Sequence, residues 1–227
     1  MLLKKLAVLA ALLALLASLP GGAAPLALWT AQPDPPDEEI LRRYRADDSV
    51  GQLLLVRCGE ESRAAVRLYE KEPGQEDWKL RLETEAVLGR NGVGKTLEGD
   101  GKTPLGDFGV VCAFGIREDP GTALDYLRVT ESTFACSEEG PWYNRIVDTR
   151  ETGHDCRGEA MFRCAPEYDY GLMIDYNPDC RWPLGSGIFL HCKGAKDSTG
   201  GCVAMDEESM RAVLLCAGPG MRVVILG

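Results

Sequence analysis

The chain has 227 residues, of which 45% are hydrophobic and 26% are charged, and its 35 acidic residues outnumber 25 Lys and Arg for a formal net charge of −10. A chain of this length and composition can bury a sizeable core. An acidic surface repels phosphate backbones and anionic lipids, so the charge argues against nucleic acid and membrane surfaces as partners.

The amino terminus has the pattern of an export signal. Lys4 and Lys5 precede an apolar run over residues 6–19, and small residues follow at 21–24. The run matches the hydrophobic region of a secretion signal and is short for a membrane span. Residues 1–24 are therefore predicted to be a signal peptide or an N-terminal anchor, with the rest of the chain exported. A buried helix is the alternative, and the stop at residues 20–22 argues against it.

Residues 25–50 have the composition of a linker. Pro33, Pro35 and Pro36 stand among acidic residues, and such a segment has too few apolar side chains to form a core. A short helix over residues 37–44 could form there. The folded domain is then predicted to span residues 51–227, as one domain without an internal repeat.

From residue 51 onward the sequence predicts mostly strands. Residues 78–82 alternate between polar and apolar types, which indicates a strand with one wet face and one buried face. Asp206 is a good N-cap for one helix, which Gly218 and Pro219 end. The pattern predicts a mainly β domain, a sandwich or open barrel, with one or two short helices. The predicted strands span residues 53–56, 64–69, 78–88, 108–114, 126–130, 172–176, 187–191 and 221–226.

Nine cysteines are many for this length. In an exported protein the first expectation is disulfides, and setting Cys202 aside leaves an even number, eight. The sequence does not fix their pairing. Cys58, Cys112 and Cys216 lie in apolar surroundings, where a buried free thiol is an ordinary core residue.

Residues 89–96 read Gly-Arg-Asn-Gly-Val-Gly-Lys-Thr, which matches the spacing of a phosphate-binding loop. Such a loop must open a helix, and the glycines and proline at residues 97–104 do not permit one. A connecting loop is therefore predicted instead of a nucleotide site. Residues 103–106 fit a type I turn, with Pro at the second position and Gly at the fourth.

One pair of residues carries the chemistry. His191 stands at the end of an apolar strand, and a short polar loop returns the chain to Cys202. An imidazole within reach of a thiol can remove its proton, and a neighbouring imidazolium lowers a thiol pKa from about 8.5 to roughly 3.5–7.5. Gly200 and Gly201 allow a tight turn, and the amides of Gly201 and Cys202 are candidate oxyanion donors. The pattern indicates acyl transfer by a cysteine nucleophile.

A zinc site formed by His191, Cys192 and Cys202 is the competing interpretation. Adjacent residues on a strand point to opposite faces, so His191 and Cys192 should not share one metal. No metal or cofactor is therefore expected. The other histidine, His154, lies beside Asp155 in a polar loop and is predicted to be a surface residue.

The same residues resemble the signature of the YkuD-type L,D-transpeptidase catalytic domain: a His, a spacer, then Ser/Thr-His-Gly-Cys, a hydrophobic residue, and Asn or Arg. The matching residues are His191, Thr199, Gly201, Cys202 and Val203, and residues 103–108 match the family's upstream Thr-Pro-x-Gly-x-Phe turn. The resemblance covers the chain from residue 51 onward and implies a β-sandwich catalytic domain.

The resemblance further implies that Cys202 attacks the L-centre carbonyl of a peptidoglycan tetrapeptide stem, expels D-alanine and passes the acyl group to an amine. His191 would act as the base, and Ser198, Thr199, Gly200 and Gly201 would form the loop that faces oxyanion and substrate. Such a protein is expected to act as a monomer in the cell wall or on the outer face of the membrane.

Three departures from the signature leave alternatives open. Gly200 replaces the second His, the spacer after His191 is short, and Ala204 replaces the Asn or Arg. With a changed pocket, water could replace the amine, which would make the protein an L,D-carboxypeptidase. A non-catalytic wall-binding module would tolerate an inert Cys202. A papain-like peptidase would need its Cys upstream of its His, the reverse of the order here.

Overall fold

Residues 34–227, the part of the chain that the computed structural model describes, contain twelve strands, three α-helices and a 3₁₀ helix. The predicted signal or anchor at residues 1–24 lies outside this part, as does the start of the predicted linker. The strands are β1 (Gln52–Cys58), β2 (Arg63–Glu70), β3 (Lys79–Val87), β4 (Gly106–Gly115), β5 (Tyr126–Arg128), β6 (Thr133–Cys136), β7 (Arg145–Asp148), β8 (Glu159–Ala160), β9 (Gly171–Ile174), β10 (Phe189–Cys192), β11 (Val203–Met205) and β12 (Arg222–Leu226). The helices are α1 (Asp37–Arg43), α2 (Thr149–Thr152), α3 (Glu207–Cys216) and the 3₁₀ helix Met161–Arg163.

Nine of the strands form one sheet in the order β12-β1-β2-β3-β11-β10-β9-β4-β5. The first part of β4 also pairs with β12, so the sheet closes on itself like a barrel, and β5 extends from the far end of β4. This confirms the prediction of a mainly β domain, and each of the eight predicted strands is present with small shifts at its ends. Closure through β12 and β4 pairs edges that an open sheet would expose as templates for aggregation, and β5 remains as a short edge strand.

The interior of the sheet is filled by alternate residues of its strands and by one face of α3. Leu54 and Val56 of β1 pack in the same cluster as Met210 and Val213 of the helix, all fully buried. The helix begins where the sequence predicts, because the Asp206 side chain accepts a hydrogen bond from the Ser209 N–H at 2.8 Å. Such a cap satisfies one of the amides that a helix start leaves unpaired.

Helix α1 covers the outer face of β1, which differs from the expectation that residues 25–50 are a linker. Ile40 is only 1% exposed and packs with Leu53 and Leu55. The Asp37 carboxylate accepts hydrogen bonds from Arg57 at 2.6 Å and from Arg67 at 3.1 Å. Ile40 and Asp37 therefore dock α1 on the sheet, although the average composition of the segment is that of a linker.

Residues 129–170, called the insert below, connect β5 to β9, and beyond residue 130, where a predicted strand ends, they were not predicted to contain strands. They carry a second small sheet in the order β7-β6-β8. A disulfide joins Cys136, at the end of β6, to Cys156. The expectation of disulfides therefore holds for this pair, and the other seven cysteines are free thiols.

The glycine-rich segment at residues 89–105 is a connecting loop, as predicted, and opens no helix. The Lys95 ammonium is turned inward, where it donates to the Leu97 carbonyl at 3.1 Å and to Asp100 at 3.0 Å. A lysine held in this way cannot contact a nucleotide phosphate. Within residues 34–227, no helix combines the length and apolar composition needed to cross a membrane.

Candidate active site

Cys202 and His191 lie on the same face of two neighbouring parallel strands. Strand β10 pairs with β11 so that His191 is level with Ala204, two residues beyond Cys202. Because side chains alternate along a strand, Phe189 and His191 face one side while Leu190 and Cys192 face the other. The sequence therefore brings the two predicted catalytic residues together through strand pairing, and not only through the loop that joins them.

This face forms the floor of a cleft of about 730 Å³, whose opposite wall is the insert. Both residues line the cleft and are almost covered, with exposed fractions of 8% for Cys202 and 6% for His191. The predicted loop residues Ser198, Thr199 and Gly200 also line it. The floor is thus a shielded site that a substrate reaches from the cleft mouth.

The Cys202 sulfur is held by two backbone groups. It accepts a hydrogen bond from the Phe189 N–H at 3.4 Å, and its own proton points to the Gly187 carbonyl at 3.3 Å. Burial raises the pKa of the Cys202 thiol to about 12, although the Phe189 N–H favours the thiolate. Burial therefore favours the neutral thiol of Cys202 over the thiolate.

A backbone contact determines which nitrogen of the His191 ring carries the proton. Its Nδ1 lies 2.8 Å from the Cys192 carbonyl oxygen, and because a carbonyl can only accept, Nδ1 carries the proton of the neutral ring. The lone pair is then on Nε2. Burial lowers the pKa of His191 below its usual 6.5, despite the hydrogen bond to the Cys192 carbonyl.

The expected imidazolium–thiolate pair is not what the structure contains. Among the described residues no hydrogen bond joins His191 to Cys202, and each side chain is bonded to backbone instead. The expectation of a lowered thiol pKa was wrong because it left out desolvation, which disfavours the charged form of both groups.

The loop before Cys202 is fixed by two threonines. The Thr199 hydroxyl donates to the Cys202 carbonyl at 2.7 Å and accepts from the Gly201 N–H at 3.0 Å. Thr103, from the upstream turn, is fully buried and its hydroxyl lies 3.5 Å from the same carbonyl while accepting from the Gly89 N–H at 2.9 Å. The two sequence motifs therefore meet at the Cys202 peptide.

These bonds change the expectation for the oxyanion donors. The Gly201 N–H is turned towards Thr199, so it is not free to donate to a substrate oxygen in this conformation. Gly201 must be glycine, because its φ is +146° and a Cβ there would lie 2.7 Å from the Lys102 carbonyl oxygen. The Cys202 amide as an oxyanion donor stays a prediction.

Several residues that shape the site were missed at the sequence level. Tyr168 is buried, with its ring centroid 5.3 Å from that of His191, edge to face. Its hydroxyl donates to Glu159, another cleft residue, and its ring also packs on Phe189 at 5.7 Å. Tyr168 and Glu159 come from the insert, so no local pattern links them to Cys202.

The metal interpretation of His191, Cys192 and Cys202 does not fit the geometry. Cys192 faces the barrel interior, where its thiol points to the Tyr170 carbonyl at 3.6 Å. In the described residues, the one cluster with suitable ligand atoms is Cys136, His154 and Cys156. Its two sulfurs are bonded to each other, so they are not thiolate ligands in this state. His154 stacks on Trp142 and is partly exposed.

The cleft has a small excess of positive charge, four cations against the carboxylates of Glu98, Glu159 and Glu167, in an otherwise acidic protein. Four cations line it: Arg90, Arg163, Lys193 and Lys196. Of these, Lys193 pairs with Asp197 at 3.3 Å, and the other three form no ion pair with any described residue. Among the carboxylates of the cleft, Glu98 accepts from two neutral hydroxyls, those of Tyr143 and Ser186, at 2.7 Å each.

The chain is similar to three solved structures at low identity. For the helical cell shape determining protein Pgp2 from Campylobacter jejuni the identity is 14% and the TM-score 0.42, with 83% of this chain and 54% of that chain covered. For L,D-transpeptidase 1 of Mycobacterium tuberculosis the values are 15% and 0.33, with 78% and 63% covered. For an L,D-transpeptidase from Mycobacterium smegmatis they are 12% and 0.36, with 78% and 59% covered. The chain thus spans little more than half the length of these relatives.

A comparison with curated proteins finds no match. The family model for the L,D-transpeptidase catalytic domain, YkuD, matches residues 62–225. That range includes most of the closed sheet, the upstream turn at Thr103, and both His191 and Cys202. The chain therefore belongs to the YkuD family of L,D-transpeptidase catalytic domains.

Proposed function

We propose that this protein catalyses cysteine-dependent acyl transfer on peptidoglycan stem peptides, the L,D-transpeptidation that cross-links cell walls. One observation carries the proposal: Cys202 and His191 share the floor of one cleft, with the free lone pair of the imidazole on Nε2. A nucleophile and a base on one strand-paired face are the minimum that acyl transfer needs. The family assignment supplies the substrate class.

The first half-reaction forms a thioester. As the sulfur attacks the carbonyl carbon of the L-centre, the thiol proton moves to Nε2 of His191. The tetrahedral intermediate then collapses, the bond to the terminal D-alanine breaks, and the leaving amine takes the proton back from His191. The high pKa of the thiol requires that proton transfer accompany attack, since a free thiolate is rare at neutral pH.

The second half-reaction releases the product. An acceptor amine enters as D-alanine leaves, His191 removes its proton, and the amine attacks the thioester to form a new amide and restore the Cys202 thiol. The Phe189 N–H, 3.4 Å from the sulfur, stabilises the negative charge on sulfur as it leaves.

Water is the second candidate acceptor. Ala204, level with His191, presents a methyl group where the family signature has Asn or Arg. It therefore offers no polar contact to hold an amine acceptor, and hydrolysis would make the protein an L,D-carboxypeptidase. Because stems lie outside the cytoplasm, we also propose that the chain is exported, with residues 1–24 as signal or anchor.

Intact-protein mass spectrometry with a synthetic tetrapeptide stem tests the proposal. The wild type should gain the mass of the tripeptide acyl group and release D-alanine, and Cys202→Ala should do neither. Cys192→Ala, which removes a buried thiol from the other face, is the matched control and should still form the adduct. Release of D-alanine by Cys202→Ala would overturn the nucleophile assignment. If an amine is the acceptor, adding one should give a cross-linked product. If water is the acceptor, the tripeptide alone should be released.

A further inference from the structure

The turn between β6 and β7 contains a polar side chain whose hydrogen bonds all leave the insert. Asn144 is 6% exposed and its backbone φ is +57°, a conformation that asparagine tolerates better than most residues. Its Nδ2 donates to the carbonyls of Tyr176 at 2.8 Å and Asn177 at 3.0 Å. Its Oδ1 accepts from the Gly187 N–H at 2.9 Å. One amide thereby ties together the two ends of the β9–β10 loop.

The far end of that loop contacts the nucleophile. The Gly187 carbonyl accepts the Cys202 S–H at 3.3 Å. Gly187 has a φ of +60° and no side chain, so nothing of its own fixes the peptide groups on either side. The bond from the Gly187 N–H to Asn144 holds the peptide group before Gly187 in place, next to the one that carries the Gly187 carbonyl.

The neighbouring residue of the turn makes a parallel contact. The Tyr143 hydroxyl accepts from the Gly185 N–H at 2.8 Å and donates to Glu98 at 2.7 Å. The Asn144 N–H in turn donates to the Cys136 carbonyl at 2.9 Å, so the turn is anchored beside the disulfide. The insert therefore touches the Cys202 side of the cleft through directed polar bonds, and not only through packing.

We propose that Asn144 is a positioning residue for Cys202, acting through the backbone of Gly187. The proposal rests on the proposed function for its kinetic consequence. The Gly187 carbonyl and the Phe189 N–H hold the sulfur between them, so a displaced Gly187 would move the sulfur from the position from which it attacks and gives its proton to His191. Small misplacements of reacting groups reduce rates by roughly 10- to 100-fold.

Stem acylation is the kinetic test. Asn144→Ala removes three hydrogen bonds and should slow acylation by roughly 10- to 100-fold at an almost unchanged KM, since the residue does not line the cleft. Asn177→Ala is the matched control. Its side chain also makes three bonds within the same loop, to Arg181 and Gly185, and none to Gly187. The control should acylate close to the wild-type rate, and equal losses in both variants would overturn the proposal.

Alkylation of Cys202 by a small neutral reagent, followed across pH by peptide mapping, gives a readout that needs no turnover. The groups that bear on the thiol, Glu159, Lys95 and Tyr168 together with His191, are unchanged. Asn144→Ala should shift the profile to lower pH, because the Gly187 carbonyl no longer stabilises the S–H form. A profile that coincides with wild type would contradict the proposal.

A second variant covers the case in which the alanine protein fails to fold. Asn144→Asp keeps an acceptor for the Gly187 N–H, but it loses the two donated bonds and turns a carboxylate oxygen towards the Tyr176 and Asn177 carbonyls. Its alkylation profile should therefore lie nearer to wild type than that of Asn144→Ala. A shift in this variant as large as that expected for alanine would mean that Gly187 is not the route. If the wild type itself forms no stem adduct, the proposed function fails, while the alkylation profiles still decide the role of Asn144.

Discussion

Gly200 and Gly201 stand side by side in the loop that carries Cys202, yet only one of them has a backbone that requires glycine. At Gly201 the positive φ and the close Lys102 carbonyl leave no room for a Cβ. At Gly200 no heavy atom lies within 4 Å of the position that a Cβ would take. The family signature has a histidine at this second position, and the structure has space for one.

Substitutions at the two glycines should therefore differ in stability. We expect Gly201→Ala to lower the free energy of unfolding by about 1–3 kcal/mol, because a strained φ and a backbone clash are combined. Gly200→Ala should change it by less than about 0.5 kcal/mol, as for an unconstrained surface site. Urea denaturation measures both values. Equal destabilisation by the two substitutions would contradict the geometry of this loop.

The pH dependence of acylation follows from the burial of His191 and Cys202. Because burial lowers the pKa of His191 below 6.5, the imidazole remains an unprotonated base down to that pH. Activity should thus be level above pH 6.5 and fall only below it, as His191 gains a proton. Because the Cys202 pKa is about 12, no separate thiolate limb is expected near neutrality. A rate profile with its acid midpoint above pH 6.5 would contradict a lowered His191 pKa.

At the scale of elements, the strength of the apolar pattern decided what could be predicted. Strands β2 and β3 alternate, β1 is a continuous apolar run, and α3 has a capping residue, an apolar face and a stop signal. Strands β9 and β10 also have only four residues, but they lie in apolar runs. Strands β6, β7 and β8, with four, four and two residues, have neither such a run nor the length for a periodic pattern. The insert was missed for this reason.

The residues of the candidate site also divide into those that the sequence predicted and those that it missed. His191 and Cys202 were predicted because a strand end and a short loop place them together along the sequence. Tyr168, Glu159 and Asn144 reach the site only when the insert folds over the sheet. The neutral state of the Cys–His pair could not be predicted either, since desolvation depends on neighbours that are distant in sequence.

The contacts of Asp37 on helix α1 should make the stability of the protein depend on pH. Burial alone would raise the pKa of Asp37, but hydrogen bonds from Arg57, Tyr69 and Arg67 outweigh it and lower the pKa below 3.8. A lowered carboxyl pKa adds stability that is present above the unfolded-state value and is lost as pH falls through the folded-state value. Asp37→Asn should therefore destabilise the protein at neutral pH by about 1–3 kcal/mol.

Glu38→Gln is the matched control, because Glu38 is exposed on the same helix turn and its loss should have little effect. The difference in unfolding free energy between the two variants should shrink as pH falls below 3.8, the ordinary pKa of Asp37. Denaturation series at neutral and acidic pH measure it. A difference that does not depend on pH would mean that α1 is held by Ile40 packing alone.

At the scale of the whole molecule, charge is distributed unevenly. The chain carries a net charge of −10, yet Arg90, Arg163 and Lys196 line the cleft without ion-pair partners among the described residues. A stem peptide, the substrate that we propose, carries free carboxylates, which the acidic surface would repel and these three cations would attract. Local cations of this kind raise the association rate of an anionic substrate and lose their effect as salt screens them.

The rate of acylation should therefore depend on ionic strength. The kcat/KM for acylation by a stem with free carboxylates should fall as salt rises, because the screening length shortens to about 10 Å at 0.1 M and further above it. Arg163→Gln should lower kcat/KM at low salt and flatten this dependence. Arg42→Gln removes the same charge from an exposed position on α1 and should leave the slope unchanged. Equal slopes of kcat/KM against salt for wild type and Arg163→Gln would show that the cleft cations do not guide the substrate. An uncharged, amidated stem is a further control and should show no salt dependence in any variant.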